Sequence, residues 1–304
     1  MDQPGIVDWL LEGDPAIRWQ VQRDLVHASS ETWRSIQEEV AEAGWGAQLL
    51  SERDPDGRWA GGLYSPKWTS TTYTLLLLWR MGLPRDNPFA VASTRLLVEK
   101  PVWMFGSPKK PHRGECVAGF GLALSSWFTI SDDRRERLVG EILANQFDDG
   151  GWNCVPGASH SSFHTTINVL EGLREYCVSG GAATQEVELA ERRARVFLCA
   201  HHLYRSHRTG DVPDPRMARL PFPPRWHHDI LRGLDYFRAA SAERDPRLQD
   251  PIDVVLAKRR SDGRWPINPG YGGKVWFTME GGRSPSRWNT LRAMRVLAWW
   301  EETT

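Results

Sequence analysis

The chain has only four cysteines in 304 residues, at positions 116, 154, 177 and 199. Four thiols so far apart do not make a disulfide framework, which excludes the small bridge-stapled secreted class. There is no formal net charge, so the basic excess that marks a nucleic-acid partner is missing. The longest apolar run, Leu75 to Trp79, is far too short to span a bilayer, and no charged-then-apolar leader opens the chain. No stretch alternates apolar and polar residues with β-branched enrichment for long enough to suggest a sheet. The expectation from these absences is a soluble, reduced, cytoplasmic, all-α protein with no transmembrane segment and no nucleic-acid partner.

What the chain does have is a repeat. Asp56-Gly57-Arg58-Trp59, Asp149-Gly150-Gly151-Trp152 and Asp262-Gly263-Arg264-Trp265 share the pattern Asp-Gly-x-Trp. Each is followed by a loop rich in Gly, Pro and Ser, then by apolar residues at three- and four-residue steps. The segments about 68 to 81, 164 to 176 and 287 to 300 are helices of this kind. Segments 16 to 26, 116 to 127 and 225 to 237 share the register without a clean Asp-Gly-x-Trp before them. Between these six inner-type helices lie charged amphipathic stretches, near 6 to 11, 31 to 51, 88 to 100, 132 to 146, 184 to 203 and 248 to 260, which suit an outer layer with one wet face. Six helical hairpins are enough to close a ring, and 40% apolar residues suffice for one core over residues 1 to 304. Most of the sixteen tryptophans read as staples, an indole lying over the start of a neighbouring helix while the Asp accepts backbone N–H groups in the Gly turn. Trp68, Tyr73, Phe120, Trp226 and Trp288 fall in the first turns of inner helices and are candidates to line a central cavity.

The Asp-Gly-x-Trp turns between inner and outer helices resemble those of the squalene and oxidosqualene cyclases and of protein prenyltransferase β subunits. The resemblance covers nearly the whole chain as an architecture and implies an (α/α)6 toroid. It is less specific about reaction, because that fold hosts cyclases, prenyltransferases and non-enzymatic proteins. The Asp-x-Asp-Asp acid of the protonation-initiated cyclases is missing: Asp132-Asp133, Asp148-Asp149 and the region from Asp211 to Asp214 all fail the pattern. Asp132-Asp133 reads instead as helix N-terminal charge.

In the prenyltransferase β subunits an Asp-x-Cys at one inner helix start and a His at the next hold zinc. Gly114-Glu115-Cys116 and Phe163-His164-Thr165-Thr166 fall on those two positions, with Gly114 where the family has Asp. Cys154 offers a third ligand, and a set of Cys116, Cys154 and His164 leaves one position open, as catalytic zinc sites do. Cys177 and Cys199 read as small buried hydrophobes. The loops feeding the inner helices are basic: Lys67, Lys109, Lys110, His112 and Arg113, then Arg205, His207, Arg208, Arg216, Arg219 and Arg225, then Lys274, Arg283 and Arg287. Such a mouth suits a diphosphate or carboxylate head group. The long segment from about 202 to 224 reads as a lid or binding loop. His227 is the candidate general acid or base, or fourth zinc ligand, and Glu280 the candidate carboxylate. The resulting expectation is a zinc-dependent enzyme acting on an apolar isoprenoid or polyene substrate with an anionic head group. The alternative is a non-catalytic toroid that binds a lipid or protein partner and carries structural zinc. A protein prenyltransferase proper is disfavoured, since it needs a second, helical-repeat subunit.

Overall fold

The computed structural model describes residues 5–99, 106–107, 110–111, 114–130 and 133–302. Thirteen α-helices carry the described chain: α1 (Ile6–Leu11), α2 (Pro15–Asp24), α3 (Ser30–Glu38), α4 (Gly44–Ser51), α5 (Thr71–Met81), α6 (Pro88–Val98), α7 (Glu115–Trp127), α8 (Asp133–Ala144), α9 (Phe163–Val178), α10 (Gln185–Ala200), α11 (Ile230–Ala239), α12 (Gln249–Ala257) and α13 (Arg287–Glu301). Among the described residues β structure is limited to isolated bridges and two-residue pairings such as Trp265–Pro266 with Pro285–Ser286.

Short polar side chains set where most helices begin. Asp14, Ser29, Asn87, Ser162, Thr184, Asp229 and Ser286 each accept a backbone N–H from the first turn of the helix that follows. Three of the expected boundaries move. The stretch 31 to 51 divides into α3 and α4, because Gly44 takes a φ of 64° and Val40 and its neighbours form a 3-10 turn between them. The fifth inner helix begins at Ile230 and not at 225, since Asp229 caps it and Arg225 takes a φ of 57°. Trp68 likewise lies in the loop before α5.

Helices α5, α7, α9, α11 and α13 pack each on the next, and α13 packs on α2. From α2 the Trp19 indole donates to the Met81 carbonyl at 2.7 Å and Gln20 to that of Arg80 at 3.2 Å, which returns the sequence of contacts to α5. The more charged helices cover this set: α1, α3 and α4 lie on α2, α6 on α5, α8 on α7, α10 on α9 and α12 on α11. Helices α7 and α9 approach closest. A Cβ on Gly119 would meet the Asn168 carbonyl oxygen at 2.5 Å, and one on Gly172 that of Gly119 at 2.6 Å. The apolar core forms two clusters that share α7, whose Ala118 and Leu122 face one while Phe120 and Leu124 face the other. Phe120 is thus a packing residue.

The three Asp-Gly-x-Trp tryptophans make the same pair of bonds. Trp59, Trp152 and Trp265 donate from the indole to the carbonyls of Leu49, Ile142 and Val255, each ten residues back, at 2.7, 2.7 and 2.8 Å. Their backbone N–H groups donate to Thr71, Thr166 and Thr290 hydroxyls at 3.1, 3.1 and 3.0 Å. Each indole therefore ties the end of an outer helix (α4, α8, α12) to the first turn of an inner one (α5, α9, α13). The middle residues Gly57, Gly150 and Gly263 have φ of 87°, 98° and 78°, a region closed to most side chains.

Trp265 is 1% exposed, and Trp265→Ala should destabilise the fold by about 3 to 5 kcal/mol. Thr290→Val, which removes only the acceptor, should cost about 1 kcal/mol. Urea unfolding followed by circular dichroism separates the two, and equal losses would contradict the staple.

Candidate functional site

Two groups of side chains stand out, one at the helix starts and one deeper between the helices. At the helix starts, His227 is sandwiched in the loop before α11. Its ring stacks on Trp226 at 3.7 Å and on Tyr271 at 3.4 Å, nearly parallel to the latter. The Trp68 indole meets His227 edge-on at 5.9 Å and Tyr73 at 4.8 Å, and donates to the Tyr271 and Gly272 carbonyls at 3.1 and 2.9 Å. Lys67 Nζ lies 5.9, 5.5 and 5.4 Å from the rings of Tyr64, Trp68 and Trp226, and the Arg225 guanidinium 5.5 Å from that of Trp68. The structure thus brings Trp68, Tyr73, His164, Arg225, Trp226 and His227 into one aromatic group. Tyr64 and Tyr271 join it from loops where sequence gave no signal.

The metal proposal meets a proton problem here. The thiols of Cys116 and Cys154 lie within hydrogen-bonding reach of one another, which together with burial raises the Cys116 thiol well above its ordinary range. His164, however, accepts the His228 backbone N–H on Nδ1 at 2.8 Å. A neutral imidazole that accepts on Nδ1 carries its proton on Nε2 and has no lone pair left for a metal. Among the described residues no three His, Cys, Asp or Glu side chains are placed to hold a metal ion. Two thiols do not fit the three-ligand catalytic zinc set that Cys116, Cys154 and His164 were expected to form.

Other expected residues are occupied structurally. Glu280 caps α13, accepting the Arg287 N–H at 2.6 Å and the Ser286 hydroxyl at 2.6 Å. Arg205 is bound by Asp250 on α12, and His207 stands against His201 with Nδ1 and Nε2 3.0 Å apart. Arg287 donates to the Trp9 carbonyl at 2.9 Å, while Arg216 pairs with Asp214. The basic loops therefore spend much of their charge on neighbours. Lys109, His112, Arg113 and Asp132 lie outside the described residues, as does the Lys110 side chain.

Deeper in the structure is a cavity of about 250 Å³. Every inner helix lines it: Trp19 and Arg23 from α2, Trp79 and Arg80 from α5, Trp127 from α7, Glu171, Arg174 and Glu175 from α9, Arg232, Asp235 and Arg238 from α11, and Trp288, Arg292 and Arg295 from α13. Arg85, Ala239 and the loop residues Phe222 and Pro224 also line it. Arg225 and Trp226 belong to the aromatic group, so the segment 222 to 226 lies between the two sites. Glu171 accepts from Arg80 at 2.8 Å and Arg232 at 2.6 Å. Burial alone would raise its pKa, but the two guanidinium groups outweigh burial and hold it at about 2. Asp235, likewise buried, is held well below the usual carboxylate range by Arg295 and Arg238. Where an apolar isoprenoid or polyene substrate was expected, the cavity wall thus carries charged side chains among its tryptophans. Sequence did carry the signal: Glu171, Arg174 and Glu175, then Arg232 and Asp235, then Arg292 and Arg295 recur at three- and four-residue steps inside otherwise apolar helices.

A scan against models of protein families finds no match for this chain, and a search of curated proteins finds none either.

Burial, then the charge of His164 and nearby arginines, pushes His227 and His228 down to about 3. His228 Nε2 donates to the Leu203 carbonyl at 2.7 Å, and its buried Nδ1 has no partner to welcome a second proton. In the unfolded chain these imidazoles protonate near pH 6.5. Unfolding therefore takes up protons below about pH 6.5, and each histidine removes up to roughly 1.4 kcal/mol of stability per pH unit until about pH 3. Urea midpoints should fall steadily from about pH 7 to about pH 5, with a shallower slope in His228→Asn. A flat profile over that range in the unaltered protein would contradict the neutral, buried assignment.

Proposed function

We propose that the chain is an (α/α)6 toroid of the squalene cyclase and prenyltransferase β-subunit kind that binds a small polar ligand inside the ring. The observation that carries this reading is that all six inner helices contribute side chains to one cavity. The order of helix contacts, returning from α13 through α2 to α5, supports the closed arrangement. The geometry suits the zinc enzyme poorly, and a small polar ligand also differs from the non-catalytic alternative, which had a lipid or protein partner and a structural zinc. His164 and Glu280 have their acceptor groups engaged, and His227 is a poor base with its ring sandwiched between two aromatic faces. The cavity also disfavours a lipid or isoprenoid chain, since it is smaller than the roughly 300 to 1,000 Å³ of drug-sized pockets and eight arginines stand among its aromatic lining. No described helix is long and apolar enough to cross a membrane.

The reading is tested by screening small polar metabolites for a rise in melting temperature, which a ligand of the native state must give. Ala239 lines the cavity, and Ala239→Phe intrudes on it. Ligands of this site should stabilise the unaltered protein and lose that effect in the variant. Hits that stabilise both equally would place the binding site elsewhere.

A further inference from the structure

We infer that the cavity takes a compact anion carrying two or more negative charges on carboxylate or phosphate oxygens. This rests on the reading of the cavity as the ligand site and adds what kind of ligand it holds. Eight arginines line the cavity against three carboxylates. Asp24 and Asp229 pair with lining arginines from behind. That still leaves eight guanidinium groups facing five carboxylates, an excess of positive charge, with Arg232, Arg292 and Arg295 buried and Arg23 and Arg85 partly exposed.

The excess is focused at one place. Arg292 is 4% exposed, yet its Nη1 has no hydrogen-bond partner. Its nearest acid, Asp229, stands 3.6 Å from Nη2, beyond hydrogen-bonding distance, and Asp229 is already capping α11 through the Arg232 N–H at 2.9 Å. One turn earlier on α13, Trp288 is 1% exposed and its indole N–H is also without a partner. Both orphans are donors, and both residues line the same cavity. Phe222 stacks on Trp288 at 4.0 Å and lies 5.7 Å from the Arg292 guanidinium, so these side chains are held in place. A buried donor without an acceptor is costly, and more so when charged. An anion's oxygens would satisfy both donors, and the planar fork of arginine matches carboxylate and phosphate alike. Asp229 Oδ2 and Glu175 Oε2 are also buried without a hydrogen-bond partner, but with eight guanidinium groups against five carboxylates the balance of the site is still a demand for acceptors.

The test is calorimetric titration of the intact protein at low ionic strength with inorganic diphosphate and, separately, with citrate, using xylitol as an uncharged control. One-to-one binding of either anion, with none of xylitol, is the expected result, and the tighter of the two identifies phosphate or carboxylate chemistry. Arg292→Lys keeps the charge beside Asp229 but loses the fork, and should weaken the anion about tenfold. Trp288→Phe keeps the stack on Phe222 and should weaken it by roughly fivefold through loss of one donor. Circular dichroism establishes that both variants are folded. Anion affinity unchanged in both variants would overturn the inference. Binding of xylitol without either anion would also overturn it, while leaving the cavity reading intact. No binding of any of the three, with Ala239→Phe without effect on every hit of the wider screen, would sink both.

Discussion

Everything near the centre of this protein depends on two carboxylates that each take two arginines. Glu171 on α9 receives Arg80 from α5 and Arg232 from α11. Asp235 on α11 receives Arg295 from α13 and Arg238 from its own helix, and Arg295 extends to Asp24 on α2. Five of the six inner helices are joined by these ions alone. Removing such groups from water costs several kcal/mol for each, so the pairs add little net stability. Their contribution is geometric. A helix displaced by one turn would leave a buried charge unpaired, at a cost of about 3 to 5 kcal/mol. The network therefore fixes the relative register of helices whose apolar faces would tolerate sliding.

The tryptophan staples act on the perimeter and in a different currency. Each indole removes a large apolar surface from water while satisfying one orphan carbonyl at the end of an outer helix. Its backbone N–H, bound to a threonine hydroxyl, sets the entry of the next inner helix. The staples fix which outer helix meets which inner one; the ionic centre fixes depth. Between them the segment 222 to 226 separates a charged cavity from an aromatic group, so that Lys67 and Arg225 lie on ring faces while the arginines lining the cavity meet carboxylates.

The helical class and the main inner and outer segments were legible because burial on one helix face imposes a 3.6-residue period on the sequence. The three Asp-Gly-x-Trp turns were legible because only glycine accepts their φ. The start of α11 was not, since the aspartate that caps it follows two histidines and a tryptophan that suit the same amphipathic register. The cysteine pair could be read from its positions, but the engagement of His164 could not, because its partner is a backbone N–H 64 residues away. Charged residues inside apolar helices, such as Glu171, Arg232 and Arg292, were visible as letters but had no assigned place. Reading them by helical face instead would have placed them together at the centre.

That placement bears on the chemistry of the resemblance itself. A carbocation cascade needs aromatic faces turned towards the reacting carbon and a surrounding free of positive charge. Here the aromatic faces of the cavity are already taken by cations: Arg23 lies 4.5 Å from the Trp19 ring, Arg80 4.9 Å from Trp79 and Arg85 4.2 Å from Trp127. A cation formed about 4 Å from a guanidinium would be opposed by roughly 4 kcal/mol even at an effective dielectric constant of about 20, less what that guanidinium's carboxylate partner offsets. The same field attracts an anion by a comparable amount. The sign of the interior is thus the reverse of what a carbocation cascade requires, and it is that sign that determines what the cavity can hold.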